Sequence, residues 1–156
     1  MSIERARAHL AKFGFENRIK EFPVSSATVL LAAEALGTEP KRIAKSLSFT
    51  IGERSVLIIA AGDARVDNRK YRERFGVKAK MIPPEDVERL IGHGVGGVCP
   101  FGVEDGVEVY LDVSLRRFET VFPAVGTAAS AIELTIPELE AASSFVEWVD
   151  LTVIPD

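Results

Sequence analysis

The chain has 156 residues, 47% of them hydrophobic and 27% charged, with a formal net charge of −4 and a pI near 5.3. This is the size and mixture of one globular domain, 1–156, able to bury a proper core, and not that of a disordered or fibrous chain. The acidic balance argues against a footprint along duplex DNA, which needs a basic face, but is compatible with gripping only the end of a nucleic acid, where few phosphates are neutralised.

The longest apolar run, Val56 to Ala61, falls far short of the roughly 20 residues that span a bilayer. The first five residues enter an amphipathic pattern without the apolar stretch of a signal peptide. One cysteine, Cys99, cannot form an internal disulfide. A soluble, cytoplasmic protein is expected. Seven basic residues (Arg65, Arg69, Lys70, Arg72, Arg74, Lys78 and Lys80) fall within sixteen positions and read as the solvated face of a helix and an edge strand.

In chain order, a helix is predicted from Ser2 to Phe13 with Ser2 as N-cap and Gly14 as its stop. An extended piece follows at Ile19 to Phe22. A second helix begins near Ser26, carries Val29, Leu30, Ala33 and Leu36 at helical spacing and ends at Gly37. Thr38-Glu39-Pro40 reads as a cap and first turn. Strands Ala44 to Ile51 and Ser55 to Ala61 form a hairpin through Gly52-Glu53. Asp67 caps a charged helix to Phe75, closed by Gly76; Val77 to Ile82 reads as a strand, and Pro84 opens a helix to Ile91. Strands Val107 to Leu111, Thr120 to Ala124 and Ala131 to Leu134 come next, then a helix at Pro137 to Ser143 and a last strand at Phe145 to Val149. Hairpins mixed with helices that do not strictly alternate point to one α/β domain around a mixed sheet.

Two features carry chemistry. On the strand Ala44 to Ile51, period two places Lys45 with Leu47, Phe49 and Ile51, and Ser46 on the other face with Ala44 and Ser48. An ammonium in phase with large apolar residues either snorkels to water or points into a cleft that holds an anionic or carbonyl-bearing ligand. The second feature is the stretch from Gly92 to Gly102, with five glycines in eleven residues. Its backbone can approach a ligand closely and turn successive N–H groups into an anion-binding nest. It is neither a P-loop nor a dinucleotide fingerprint. Two histidines, His9 and His93, and one cysteine offer no zinc spacing, and no metal or cofactor is implied. A Cys99–His93 dyad lacks a third orienting group, and an isolated cysteine is more often a small packed hydrophobe.

Ala32-Ala33-Glu34-Ala35-Leu36-Gly37, then Pro40, Ile43, Lys45 and Ser46, then Gly96-Gly97-Val98-Cys99-Pro100-Phe101-Gly102, together resemble the YbaK family of aminoacyl-tRNA deacylases. These are also called prolyl-tRNA synthetase-associated domains, in free-standing and inserted forms. The resemblance runs from the first helix to Glu133. It implies a mostly antiparallel, barrel-like mixed sheet surrounded by helices. It also implies hydrolysis of the ester joining a wrong amino acid to the terminal adenosine of a tRNA, typically proline tRNA.

Lys45 falls at the family's lysine, which contacts the terminal nucleotide. Gly96 to Pro100 matches its Gly-x-x-x-Pro loop, whose amides hold the carbonyl. The resemblance thus implies catalytic roles for Lys45, Gly96 and Gly97, and substrate contacts from Thr28, Ser46, Val98, Cys99, Pro100, Phe101 and Gly102. The implied partners are the acceptor end of a mischarged tRNA and prolyl-tRNA synthetase, with neither membrane nor DNA among them. Relatives that remove cysteine carry an aromatic residue at the position of Thr28, and glycine and aspartate at those of Ala129 and Ala131, so a cysteine-specific activity is not implied. Two other classes stand beside this one: a module that binds aminoacyl-tRNA or a nucleotide without turnover, and a cysteine hydrolase using Cys99 and His93.

Overall fold

The structure, a computed structural model, describes residues 2–23 and 28–155. Helix α1 (Ser2–Ala11) buries Ala6 and Leu10 completely, and Gly14 at φ 76° turns the chain away after it. Strand β1 (Lys20–Glu21) follows, then α2 (Val29–Leu36), where the Thr28 hydroxyl accepts from the Leu31 N–H and Gly37 closes the end in the left-handed region. The start expected near Ser26 lies outside the described residues. A short 3-10 turn at Pro40–Arg42 leads into β2 (Ile43–Ile51) and β3 (Arg54–Ala61).

Strand β4 (Arg65–Val66) precedes α3 (Asn68–Phe75), capped by Asp67. Helix α4 (Pro84–Ile91) begins with Pro84 in its first turn. Next come β5 (Glu108–Asp112), a 3-10 turn at Val113–Arg117, β6 (Thr120–Pro123), β7 (Ser130–Ala131) and β8 (Leu134–Thr135). Helix α5 (Ile136–Ser143) carries a capping box made by Thr135 and Glu138. Strands β9 (Glu147–Val149) and β10 (Thr152–Val153) complete the described chain.

The main sheet has the order β8-β6-β2-β3-β5-β9, and two-stranded pairs β1-β7 and β10-β4 lie beside it. It curls into a half-barrel with the helices around it. The long β2–β3 ladder is antiparallel, whereas β2–β6, β3–β5 and β5–β9 are parallel. Strand β3 is covered on both faces: Val56 through Ala61 are wholly buried, which is why they read as an uninterrupted apolar run. One face packs Leu57, Ile59 and Ala61 against α1, α5 and Phe101. The other sets Val56, Ile58, Phe49 and Tyr110 against Tyr71 and Phe75 of α3. Burying each large aliphatic side chain contributes about 1.5–3 kcal/mol.

Three expectations need correction. Residues 77–82 form a single antiparallel bridge, Phe49 to Met81, and not a strand, because Pro83 and Pro84 follow and cannot donate to a ladder. The strand expected over Ala131 to Leu134 is two pieces, since Ser130–Ala131 pair with β1 and Leu134–Thr135 pair with β6. The basic stretch is solvated as expected, with Arg65 on the short strand β4 and four residues on α3, but Lys78 and Lys80 lie in an extended segment outside any strand. Several are paired locally: Arg69 with Glu73, Lys70 with Asp150 and Arg74 with Glu147.

Asp112 ties the distal elements together. Its carboxylate is fully buried and accepts from the Ser114 N–H at 3.0 Å, the Leu151 N–H at 2.8 Å and the Thr152 hydroxyl at 2.8 Å. Asp112→Ala strands three buried donors and is expected to lower unfolding free energy by about 3 kcal/mol; Thr152→Val, which removes one of them, costs about 1 kcal/mol. Urea unfolding curves of the two variants give the comparison, and equal stabilities would contradict this account.

Candidate active site

Along the edge of β2 away from β3, cover is provided twice and interrupted once. Strand β6 pairs with Ile43 and Ala44 and ends at Pro123. Farther along, Ile82 N–H donates to Ser48 O at 3.1 Å and Thr50 N–H donates to Lys80 O at 2.9 Å, after which Pro83 stops the pairing. Residues 45–47 are left open between the two proline-limited covers. Main-chain groups alternate along a strand edge. With Ser48 and Thr50 both addressing this edge, Ser46 is the residue whose N–H and C=O face the gap. Its side-chain Oγ is also buried without a partner.

The gap opens into a cavity of about 270 Å³, walled by α2, β2, α4 and β6 and by the loop at Val95, Gly96 and Val98. Thr28, Lys45, Ser46, Gly96 and Val98 all line it, so the early strand and the distant glycine loop do meet. Its other walls are mostly apolar, among them Val29, Ala32, Ile43, Ile82 and Phe122. Among the described lining residues Lys45 is the single charged side chain, with no Asp, Glu, His or Arg beside it.

The Lys45 Nζ donates to Gly62 O at 3.3 Å and to Ala64 O. An ammonium has three N–H donors, so one remains for a ligand. Its nearest carboxylate, Asp63, is engaged by Arg117 through two hydrogen bonds of 3.1 and 2.6 Å. Half-burial pushes the lysine below its usual pKa; the Asp63 charge opposes that shift and Arg65 adds to it. The turn holding Lys45 is fixed by contact: a Cβ on Gly62 would overlap Pro40 O and crowd Val29.

In the loop, Gly97 N–H closes a turn onto Gly94 O at 3.0 Å, with Gly96 at φ 93° and Val95 exposed at the tip. Gly97, expected as a donor to substrate, instead has its amide bonded within the loop and its Cα pressed against the main chain of Gly126 and Thr127. It shapes the loop, and Val95, Gly96 and Val98 are the loop residues that line the cavity.

Cys99 and Phe101 are fully buried in the core, while Pro100 and Gly102 line a different cavity beside α1. His93 and Cys99 do not form a dyad: the histidine Nε2 lies 2.6 Å from Phe101 O, and the thiol is directed to the same carbonyl at 3.8 Å. Burial pushes the thiol pKa up to about 12, which suppresses the thiolate a nucleophile needs. Among the described residues, no group of three or more His, Cys, Asp or Glu side chains is placed to hold a metal ion, and no helix is long and apolar enough to cross a membrane.

Sequence reasoning did not single out Ser48, Ser130, Phe122 or Ala124 as cavity walls. The available signal was the pair Ser46 and Ser48, two hydroxyls in the inward phase of a buried strand.

The family model of the aminoacyl-tRNA editing domain matches residues 24–142. The chain belongs to this family. The editing domain is 53% identical over 152 residues to the uncharacterized protein YwhH of Bacillus subtilis, covering 97% of each chain. It is 30% identical over 86 residues to a proline–tRNA ligase of Geobacillus kaustophilus, an alignment spanning 54% of the editing domain and 15% of that enzyme. A solved structure described as a candidate trans-editing enzyme for prolyl tRNA synthetase superposes with a TM-score of 0.87 at 32% identity, covering 97% of both chains.

Two outcomes follow for the loop of this editing domain. Cys99 in the native protein is expected to resist alkylation at pH 7 and to react once urea unfolds the chain; rapid native alkylation would refute its burial. His93 is held below its usual pKa by burial first, with the Arg5 and His9 charges adding and the Phe101 carbonyl opposing. The unfolded state therefore binds the proton more readily. Stability is intact above about pH 6.5 and falls as pH drops below it. His93→Gln flattens that decline in thermal melts recorded from pH 7 to 5.

Proposed function

We propose that this editing domain is a cytoplasmic hydrolase acting in trans on the acceptor end of a mischarged tRNA, proline tRNA being the first candidate, alongside prolyl-tRNA synthetase. The observation that carries the reading is the cavity itself: one lysine, a wall of glycine loop and, among the described lining residues, no carboxylate or histidine. An aminoacyl ester is already activated, so a dedicated nucleophile is not required. Water adds to the carbonyl carbon, and the carbon–oxygen bond to the ribose breaks. The proton passes to the departing ribose oxygen, with the neighbouring ribose hydroxyl orienting the water.

Gly96 and Val98 N–H groups receive the carbonyl oxygen as it gains charge, a type of interaction worth about 3–4 kcal/mol per critical donor. Lys45 offers its third N–H to the terminal nucleotide, and Ser46 presents its hydroxyl and main chain to the aminoacyl group. Thr28 at the α2 N-terminus bounds the pocket. Gly97, Cys99, Pro100, Phe101 and Gly102 keep the loop in its shape. Discrimination rests on size, because one methylene in an apolar pocket is worth only about 1–3 kcal/mol to the synthetase that erred.

The test is a panel of mischarged proline tRNAs incubated with purified protein. Ester loss is expected for at least one small amino acid, and Lys45→Ala should slow it by about 100-fold with an unchanged circular dichroism spectrum. Full activity in that variant overturns the role of Lys45. Tight binding to charged tRNA without ester loss across the panel would identify a binding module instead.

A further inference from the structure

Asp63 stands between Gly62 and Ala64, the two residues whose carbonyl oxygens hold the Lys45 ammonium. Its negative charge acts on that ammonium, opposed by the charge of Arg65. A half-buried ammonium with an open N–H and a carboxylate on the same short turn ordinarily pair. Here they do not, because both Asp63 oxygens are taken by the Arg117 guanidinium, at 3.1 and 2.6 Å. Neither Asp63 nor Arg117 lines the cavity.

Arg117 is placed from its own side. It ends the 3-10 turn Val113–Arg117, which is fastened at two points. The Ser114 hydroxyl accepts from the Ala61 N–H at 3.0 Å, and Asp112 accepts from the Ser114 N–H. The guanidinium donates through Nε to Ser114 O at 2.9 Å, and its carbon lies 4.7 Å from the centre of the Phe118 ring. Its two terminal nitrogens then meet the two carboxylate oxygens one to one, the strongest geometry such a pair has. Lys41, another cation facing Asp63, pairs with Glu39. The Arg117 and Asp63 side chains are 35% and 29% exposed, and an ion pair at that exposure adds little to the stability of a fold.

We propose that Arg117 is a positioning residue of the editing site: it holds Asp63 away from Lys45, and so keeps the third ammonium N–H and its uncancelled charge open to the substrate. In its substrate this rests on the editing activity proposed above; the exchange of partners at Lys45 does not. Without the guanidinium, Asp63 turns to the ammonium. Lys45 then gives its open donor to an ion pair, and the cavity loses both the donor and its positive potential. Were the fork only a brace for the 62–64 turn, removing both partners would harm the site at least as much as removing one. Under partner exchange, removing Asp63 as well reverses the harm.

The test compares Arg117→Met, which keeps an apolar stem over Phe118, with the double variant Asp63→Asn/Arg117→Met. Ester loss from mischarged proline tRNA is expected to be about tenfold slower in Arg117→Met and within about twofold of the native rate in the double variant. A second readout needs no tRNA: titration of the Lys45 ammonium, followed through its side-chain carbon shifts in the isotopically labelled full chain. It moves to higher pH in Arg117→Met and back down in the double variant, which lacks the same cation and so separates pairing with Asp63 from the loss of a neighbouring charge. A native rate or an unmoved Lys45 titration in Arg117→Met overturns the proposal, as does a double variant no faster than the single one. If the native protein leaves every ester of the panel intact, the editing activity is what fails, and the titration alone decides the role of Arg117.

Discussion

The uneven covering of β2 is the constraint on which the rest depends. Against β3 the strand is paired from Ala44 to Ile51, and that long ladder fixes its register. On its other edge, β6 stops at Pro123 and the bridge at Met81 stops at Pro83. Neither can be extended toward the other, because proline has no N–H to contribute. The cavity is the space the missing pairs would have filled. A rigid strand with an unpaired middle is a stable way to keep main-chain donors and acceptors available, since their geometry is set by the ladder on the far side.

The electrostatics of the cavity follow from what surrounds Lys45. An ammonium half-withdrawn from water usually finds a carboxylate. Here Asp63 is committed to Arg117, and the amine rests on two carbonyl oxygens. Carbonyl dipoles satisfy its hydrogen bonds without cancelling its charge, so the positive potential persists inside a mostly apolar enclosure where it is little screened. Such an arrangement attracts phosphate or developing negative charge, and the described lining residues include no carboxylate or histidine to take a proton from water.

Much of this was legible in the sequence. Capping residues and glycine stops located the helices, and the Gly52-Glu53 hairpin set the register that places Lys45 and Ser46 on opposite faces of β2. The loop was visible as a cluster of glycines. What the sequence hid was which amide points where: Gly96 and Gly97 are equivalent as letters, yet one faces the cavity and the other closes a turn. The split between β7 and β8 was equally hidden, because each piece is defined by a partner more than a hundred or about fifteen residues away. The Val77–Ile82 segment has strand composition but pairs with β2 only through the bridge at Met81, and the prolines after it stop the pairing there.

The contact between Gly97 and the Gly126–Thr127 backbone binds two parts of the wall that are almost thirty residues apart in the chain. A side chain at position 97 is admissible only if the 126–127 backbone withdraws. That withdrawal would carry along Ser130 and Ala131, which themselves line the cavity. Pocket dimensions and the posture of the glycine turn are therefore one inherited character: descendants that reshape the cavity must alter both together.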